Sequence, residues 1–147
     1  MIDFYIRESS CEDVDEILAL EQQYGIDVYS RESIISTFNY DYYYTFVIVN
    51  DNKVIGYISA TIIFDECNLL KIIVDKQYRG KGYGKLLVQK LIDICKEKFV
   101  NKIYLEVRKD NEVAKSFYSK LGFMKETERS GYYDGVDAEI FGYYIND

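Results

Sequence analysis

Histidine, proline and tryptophan are absent from this chain of 147 residues. Without histidine, a general base has to be a carboxylate, a tyrosine, a lysine, a cysteine or a positioned water. A zinc site would need cysteines and carboxylates alone, and Cys11, Cys67 and Cys95 have no paired ligand spacing, so no metal is expected. This odd, scattered count of cysteines, 3 in all, fits reduced thiols in a cytoplasmic protein better than a disulfide framework. Without proline, helix stops and turns depend on glycine, asparagine and aspartate. Long apolar runs are also missing: the longest, around Val54 to Phe64, contains Gly56, Ser59 and Thr61 and is too short to span a bilayer. The opening MIDFYIRESS has no basic stretch followed by an apolar one, so no secretory signal is expected. Positive charge is the scarcer sign, 18 basic residues against 25 acidic for a net charge of −7. That balance argues against a nucleic-acid surface and favours a basic or amine-bearing partner. The length fits a single domain over residues 1–147 with one good core.

What is present reads as an α/β chain. Ile2, Phe4 and Ile6 alternate on one face of an opening strand. Ser9 and Glu12 form a capping-box signature before a helix carrying Val14, Ile17, Leu18 and Leu20. Ser30 caps a second short helix through Ile34, Ile35 and Phe38. Strands follow at Tyr42–Val49 and Lys53–Phe64 about the turn Asn50-Asp51-Asn52. A further strand, Leu69 to Val74, leads into a glycine loop and a helix with Leu87, Leu91 and Cys95 at four-residue spacing. Ile103, Leu105 and Val107 mark one face of the next strand, with Tyr104 and Glu106 on the other. Asp110 or Asn111 caps a helix whose inward residues are Val113, Ala114, Phe117 and Leu121, and Gly122 stops it with Phe123 packing back. Two last strands lie near Met124–Glu128 and Ala138–Ile145, separated by Gly131 and the turn residues Asp134-Gly135. The order is β-α-α-β-β-β-α-β-α-β-β.

The glycine loop Arg79-Gly80-Lys81-Gly82-Tyr83-Gly84-Lys85 sits between strand and helix, with basic residues interleaved. Glycine lets the backbone approach a ligand closely, and a helix start offers unpaired N–H groups at the positive end of its dipole. Together they make a cradle for a pyrophosphate. Gly84-Lys85 has Arg79 where a P-loop needs its first glycine and Leu86 where it needs a hydroxyl. The dinucleotide fingerprint fails as well, because its third glycine falls on Lys85 or Leu87.

Arg79-x-x-Gly82-x-Gly84 resembles the acyl-CoA pyrophosphate loop of the GNAT superfamily of N-acetyltransferases, and the element order matches that fold. The resemblance implies a mixed, twisted sheet of about seven strands with flanking helices, and acetyl-CoA between two splayed parallel strands. Leu105-Glu106-Val107-Arg108, Asn111 and Phe117-Tyr118-x-x-Leu121-Gly122-Phe123, with Tyr132-Tyr133-Asp134-Gly135-x-Asp137-Ala138, resemble the RimI-type subgroup. Those bacterial enzymes acetylate the N-terminal alanine of protein eighteen of the small ribosomal subunit. By the resemblance Glu106 is the general base and Tyr118 the general acid. Asn111 contacts the cofactor, the backbone of Ile72, Ile73 and Val74 lines its pantetheine arm, and Arg79 to Lys85 hold its pyrophosphate. The chemistry is consistent: an α-amine has a reference pKa near 8, within reach of a partly buried carboxylate acting through water. A tyrosine hydroxyl can protonate the leaving sulfur, and a free backbone N–H near Val74 can stabilise negative charge on the carbonyl oxygen. Taken singly, Glu106 also fits the solvent side of a strand, paired with Arg108, and Tyr118 fits one more core aromatic among 16 tyrosines.

The loop Tyr24 to Ser30, with Tyr29, and the pair Tyr132 and Tyr133 are candidate walls of an acceptor groove, and equally fit ordinary loop and edge aromatics. The subgroup often leads into its cofactor strand with Glu-x-Leu-Leu-Asn, where this chain has Asn68 and Lys71. Its proline-tryptophan-serine loop is replaced by Gly25-Ile26-Asp27-Val28-Tyr29-Ser30. Three functions follow: acetylation of a protein N-terminal α-amine, acetylation of a small amine or lysine side chain, or acyl-CoA binding without turnover. The pairing of Glu106 with Tyr118 weighs against the last.

Overall fold

The computed structural model describes residues 4–25, 28–133 and 135–145. Its strands are β1 (Phe4–Glu8), β2 (Tyr43–Asn50), β3 (Lys53–Ile63), β4 (Glu66–Val74), β5 (Lys102–Arg108), β6 (Met124–Tyr133) and β7 (Val136–Tyr144). Its helices are α1 (Val14–Tyr24), α2 (Arg31–Thr37), α3 (Tyr83–Glu97) and α4 (Glu112–Lys120). The strands form one 7-stranded sheet in the order β1-β2-β3-β4-β5-β7-β6. Neighbours are antiparallel except β4 and β5, which run parallel. This is the mixed sheet with flanking helices that the family resemblance implies. Among the described residues no helix is long and apolar enough to cross a membrane.

Helices cover both faces of the sheet. On one face α3 buries Leu87, Val88, Leu91 and Cys95 against Ile48, Ile55, Ile58, Cys67 and Ile103. These side chains are at most 1% exposed, and each contributes roughly 1.5–3 kcal/mol for an aliphatic of this size. The four-residue spacing therefore marks the seam correctly. On the other face α1 and α2 set Val14, Ile17, Leu20 and Ile34 on Val47, Val49, Val54, Tyr57 and Ile73. Two expected inward residues point out: Ile35 is 41% and Val113 83% exposed. In α4 the inward stripe is instead Ala114, Phe117, Tyr118 and Leu121.

Local signals set the helix ends. The box before α1 lies one residue later than Ser9 and Glu12 suggest. Ser10 is the cap and Asp13 closes it, with Asp13 Oδ2 accepting from Ser10 N at 2.9 Å. Arg7 then forks onto Asp13, Nη1 and Nη2 each donating at 2.8 Å. Ser30 caps α2 as expected, accepting from Ser33 N at 3.1 Å. Gly122, at φ 103°, ends α4, and Phe123 N donates back to Tyr118 O at 3.0 Å. The final hairpin is longer than predicted because Gly131 does not separate the strands. It lies inside β6 at φ 62°, where the register against β7 slips between Arg129 and Tyr133. Ile2, Ile26, Asp27 and Asp134 are outside the described residues, as are the side chains of Tyr132 and Tyr133.

Candidate active site

The parallel pair defines the site. β4 and β5 pair only over Glu66–Asn68 and Lys102–Tyr104, yet β4 runs on to Val74 and β5 to Arg108. Alongside their remaining lengths lies a cleft of about 710 Å³. Its walls include Ile72 and Ile73 of β4, Leu105 and Glu106 of β5, Asn111 and Tyr118 at α4, and Tyr29. Six candidate residues that the sequence separates widely, Tyr29, Ile72, Ile73, Glu106, Asn111 and Tyr118, thus share one cavity.

The two candidate catalytic groups approach it from opposite faces of the sheet. Ile103, Leu105 and Val107 are buried with α3 and α4, so strand alternation sends Tyr104, Glu106 and Arg108 to the face bearing α1 and α2. Tyr118 belongs to the α3–α4 side and is 8% exposed. Burial alone pushes its hydroxyl above the usual tyrosine range, so it stays protonated and able to donate. Glu106 is less buried than expected: its side chain is 30% exposed, and Oε1 accepts from Arg129 Nη1 at 2.6 Å. Arg108, two positions on, forks onto Asp110 at 3.0 and 3.1 Å.

The β4 backbone offers polar groups to the cleft. Asp75 N donates to Ile55 O at 2.7 Å, which fixes the phase of the antiparallel ladder with β3. Asp75, Ile73 and Lys71 then face β3, whereas Val74 and Ile72 direct N–H and C=O toward β5. Arg79 Nε caps the Val74 carbonyl at 2.8 Å, and its guanidinium lies 4.8 Å from the Tyr24 ring centre. Leu70 is the extra residue of a bulge where the register shifts between Ser59 and Ala60.

Arg79 to Lys85 are not in the cleft wall; they form the turn that carries the chain from the end of β4 into α3. Gly80 (φ 77°) and Gly82 (φ 85°) adopt left-handed backbone, and a Cβ on either would meet nothing within 4 Å. Gly82 is the N-cap of α3, so the first N–H groups of that helix open onto this space. The loop can hold an anion there. Lys81, Gly82 and Lys85 are exposed, but the Tyr83 ring is buried, stacked edge-on with Phe4 at 5.0 Å, leaving only its backbone to the loop. Gly84 is needed for closeness: a Cβ would lie 3.2 Å from Phe117 Cζ. Asn111 uses its Oδ1 to cap α4, accepting from Ala114 N at 3.1 Å, which leaves its amide as a donor.

Arg129 and Glu21 carry no sign of a site role in the sequence, and Lys71 stands there only as a departure from the subgroup's pattern. Glu21 is wholly buried at the end of α1, with Oε1 accepting from Tyr57 Oη at 2.9 Å and Oε2 3.3 Å from Lys71 Nζ. Lys71 in turn sits 4.5 Å from the Tyr29 ring centre. For Glu21, a carboxylate in the stripe Val14, Ile17, Glu21 signals burial only. Among the described residues no group of three or more His, Cys, Asp or Glu could hold a metal.

The acetyltransferase (GNAT) family model matches residues 12–123. A ribosomal protein bS18-alanine N-acetyltransferase from Haemophilus influenzae is 33% identical over 121 residues, 82% of each chain. Among solved structures, the ribosomal-protein-S18-alanine N-acetyltransferase from Escherichia coli superposes with a TM-score of 0.90 at 29% identity, covering 98% of this chain and 95% of that one. Ard1 from Thermoplasma volcanium gives a TM-score of 0.91 at 25% identity, covering 99% and 100%. The chain belongs to the acetyltransferase (GNAT) family and is closely related to its bS18-alanine N-acetyltransferases.

Proposed function

We propose that this single-domain chain transfers the acetyl group of acetyl-CoA to the N-terminal α-amine, an alanine, of the small-subunit ribosomal protein bS18. The observation that carries this reading is the opposition of Glu106 and Tyr118 across one cleft whose β4 wall has backbone to spare. Acetyl-CoA would supply the activated thioester. Its pyrophosphate fits the N–H groups and open glycines between Arg79 and Lys85, and its pantetheine arm fits the β4 backbone of Ile72, Ile73 and Val74, beyond the residues that pair with β5. Asn111 contributes an amide donor at the same wall. An outward N–H of Ile72 or Val74 stabilises negative charge developing on the carbonyl oxygen. Glu106 takes the proton of the attacking amine, directly or through water, and Tyr118 returns one to the departing sulfur. Holding both reactants in one cleft supplies a large part of the rate. The acceptor enters from the α1–α2 face, past Tyr29.

The test is thiol release from acetyl-CoA with two peptides, one with an unblocked N-terminal alanine, the other blocked there and carrying one lysine. Release with the first alone is expected. Release with the lysine peptide alone would make the protein a side-chain acetyltransferase, and release with neither would remove the peptide claim.

A further inference from the structure

We propose that the tyrosine ledge Tyr40–Tyr43, on the acceptor face beside the cleft, docks a lysine- or arginine-bearing stretch of the acceptor polypeptide a few residues beyond the acetylated amine. This deepens the α-amine reading and rests on it.

The sheet register links ledge to cleft. Tyr43 pairs with Thr61, Thr61 with Asn68, and Asn68 with Tyr104. Directly paired residues point to the same side of a sheet, so this rung lies on the face that carries Glu106, two residues beyond Tyr104. Thr61 and Asn68 already line the cleft, and Tyr43 is the next position along. At about 4.8 Å per strand, β5 to β2 is roughly 14 Å, or about four residues of extended chain.

The ledge has the chemistry for a cation. The Tyr42 ring lies 5.2 Å from Tyr40 and 5.0 Å from Tyr43, centre to centre, and Tyr40 is 51% exposed. Tyr40, Asp41 and Tyr43 line a cavity of about 440 Å³ together with Glu8. Neither carboxylate is in an ion pair among the described residues, and no cation covers Tyr40, Tyr42 or Tyr43 there. Desolvation, then the charge that Tyr43 and Tyr40 take on when they ionise and the Asp41 carboxylate, hold the Tyr42 hydroxyl above its usual range. Exposed aromatic faces beside carboxylates attract ammonium and guanidinium groups, and the chain's net charge of −7 draws in a cationic partner.

The experiment uses three peptides with a free N-terminal alanine: a three-residue neutral one, a ten-residue neutral one, and a ten-residue one with Lys and Arg from the fourth residue on. Peptide binding by fluorescence anisotropy is measured alongside KM and kcat for thiol release. The long cationic peptide is expected to bind about tenfold more tightly than the long neutral one, an advantage that shrinks with added salt. Tyr40→Ala with Tyr42→Ala, and separately the milder Asp41→Asn, should reduce that advantage and leave the short peptide's kinetics unchanged. Binding that ignores peptide charge, or an advantage that survives both variants, overturns the ledge, while acetylation of the short peptide still leaves the α-amine reading standing. A charge advantage lost in the variants, with no peptide acetylated, supports the ledge and overturns the α-amine reading.

Discussion

Arg129 on β6 reaches over the intervening β7 to hold Glu106 on β5, Nη1 to Oε1 at 2.6 Å. A carboxylate has about four lone-pair sites, so one guanidinium bond orients it and leaves capacity for an amine or water. Glu106→Gln should lower kcat by roughly 10²–10⁴-fold, the usual share of a general base. It should also flatten the rise in rate as the acceptor amine loses its proton near its reference pKa of about 8. Arg129→Gln should lower kcat by less, with the KM for acetyl-CoA unchanged and partial rescue by Arg129→Lys. Equal losses in KM and kcat for Arg129→Gln would make this a structural ion pair only.

Tyr118 predicts behaviour at high pH. Its hydroxyl is raised by burial, so the protonated donor persists through the ordinary tyrosine range. The sign follows: stability linked to this group is present below its unfolded value of about 10 and is lost as pH rises through the higher folded value. The wild-type rate should therefore show no alkaline decline from Tyr118 up to about pH 10. Tyr118→Phe should lower kcat at every pH with acetyl-CoA affinity kept. A kcat–pH series on both proteins, with acetyl-CoA titrations, checks this; full activity in Tyr118→Phe removes the acid role.

Beneath the acceptor side of the cleft, Glu21 and Lys71 make a test of stability. Glu21 is 0% exposed, its cation Lys71 has a side chain 15% exposed, and the Tyr57 hydroxyl donates to the other oxygen. Lys71→Met takes this cation from a buried carboxylate and should destabilise the fold by about 3–5 kcal/mol, read from urea unfolding. Adding Glu21→Gln should recover part of that loss, because the uncompensated charge goes with it. Burial, then the charge of Glu21, raises the Tyr57 hydroxyl, so its stabilising share is also lost only on the alkaline side.

What the sequence made legible was local. The spacing of Leu87, Leu91 and Cys95, the Ser30 cap and the Gly122 stop each depend on residues a turn or less apart, and each stands in the structure. Glu106 and Tyr118 were legible through a resemblance, since nothing in alternation or helical period distinguishes them from surface and core. The pairs that orient the site were not legible. Arg129 meets Glu106 across 23 residues and Tyr57 meets Glu21 across 36, contacts that depend on which strands become neighbours. Val113 and Ile35 read as inward but are exposed, because an apolar side chain at roughly helical spacing can fall at the rim of a stripe, where propensity gives no warning. Gly131 reads in the sequence as a strand separator, yet its positive φ is accommodated by a register shift within β6.

Two glycines two residues apart should fail differently. Gly82, at φ 85°, caps α3, and a Cβ there meets nothing within 4 Å of protein. Gly82→Ala therefore carries only the left-handed backbone strain, roughly 1–2 kcal/mol, and a methyl group in the space proposed for the pyrophosphate. It should raise the KM for acetyl-CoA and leave kcat near normal. Gly84→Ala keeps a helical backbone, but its Cβ would lie 3.2 and 3.3 Å from Phe117 ring atoms. Phe117 packs edge-on against Tyr118 at 5.2 Å, so the push reaches the candidate acid. Gly84→Ala should lower kcat, with a smaller change in KM. Steady-state kinetics with acetyl-CoA varied separate the two. If both variants change only KM, Phe117 does not support Tyr118; if Gly82→Ala leaves KM untouched, the loop is not where the pyrophosphate binds.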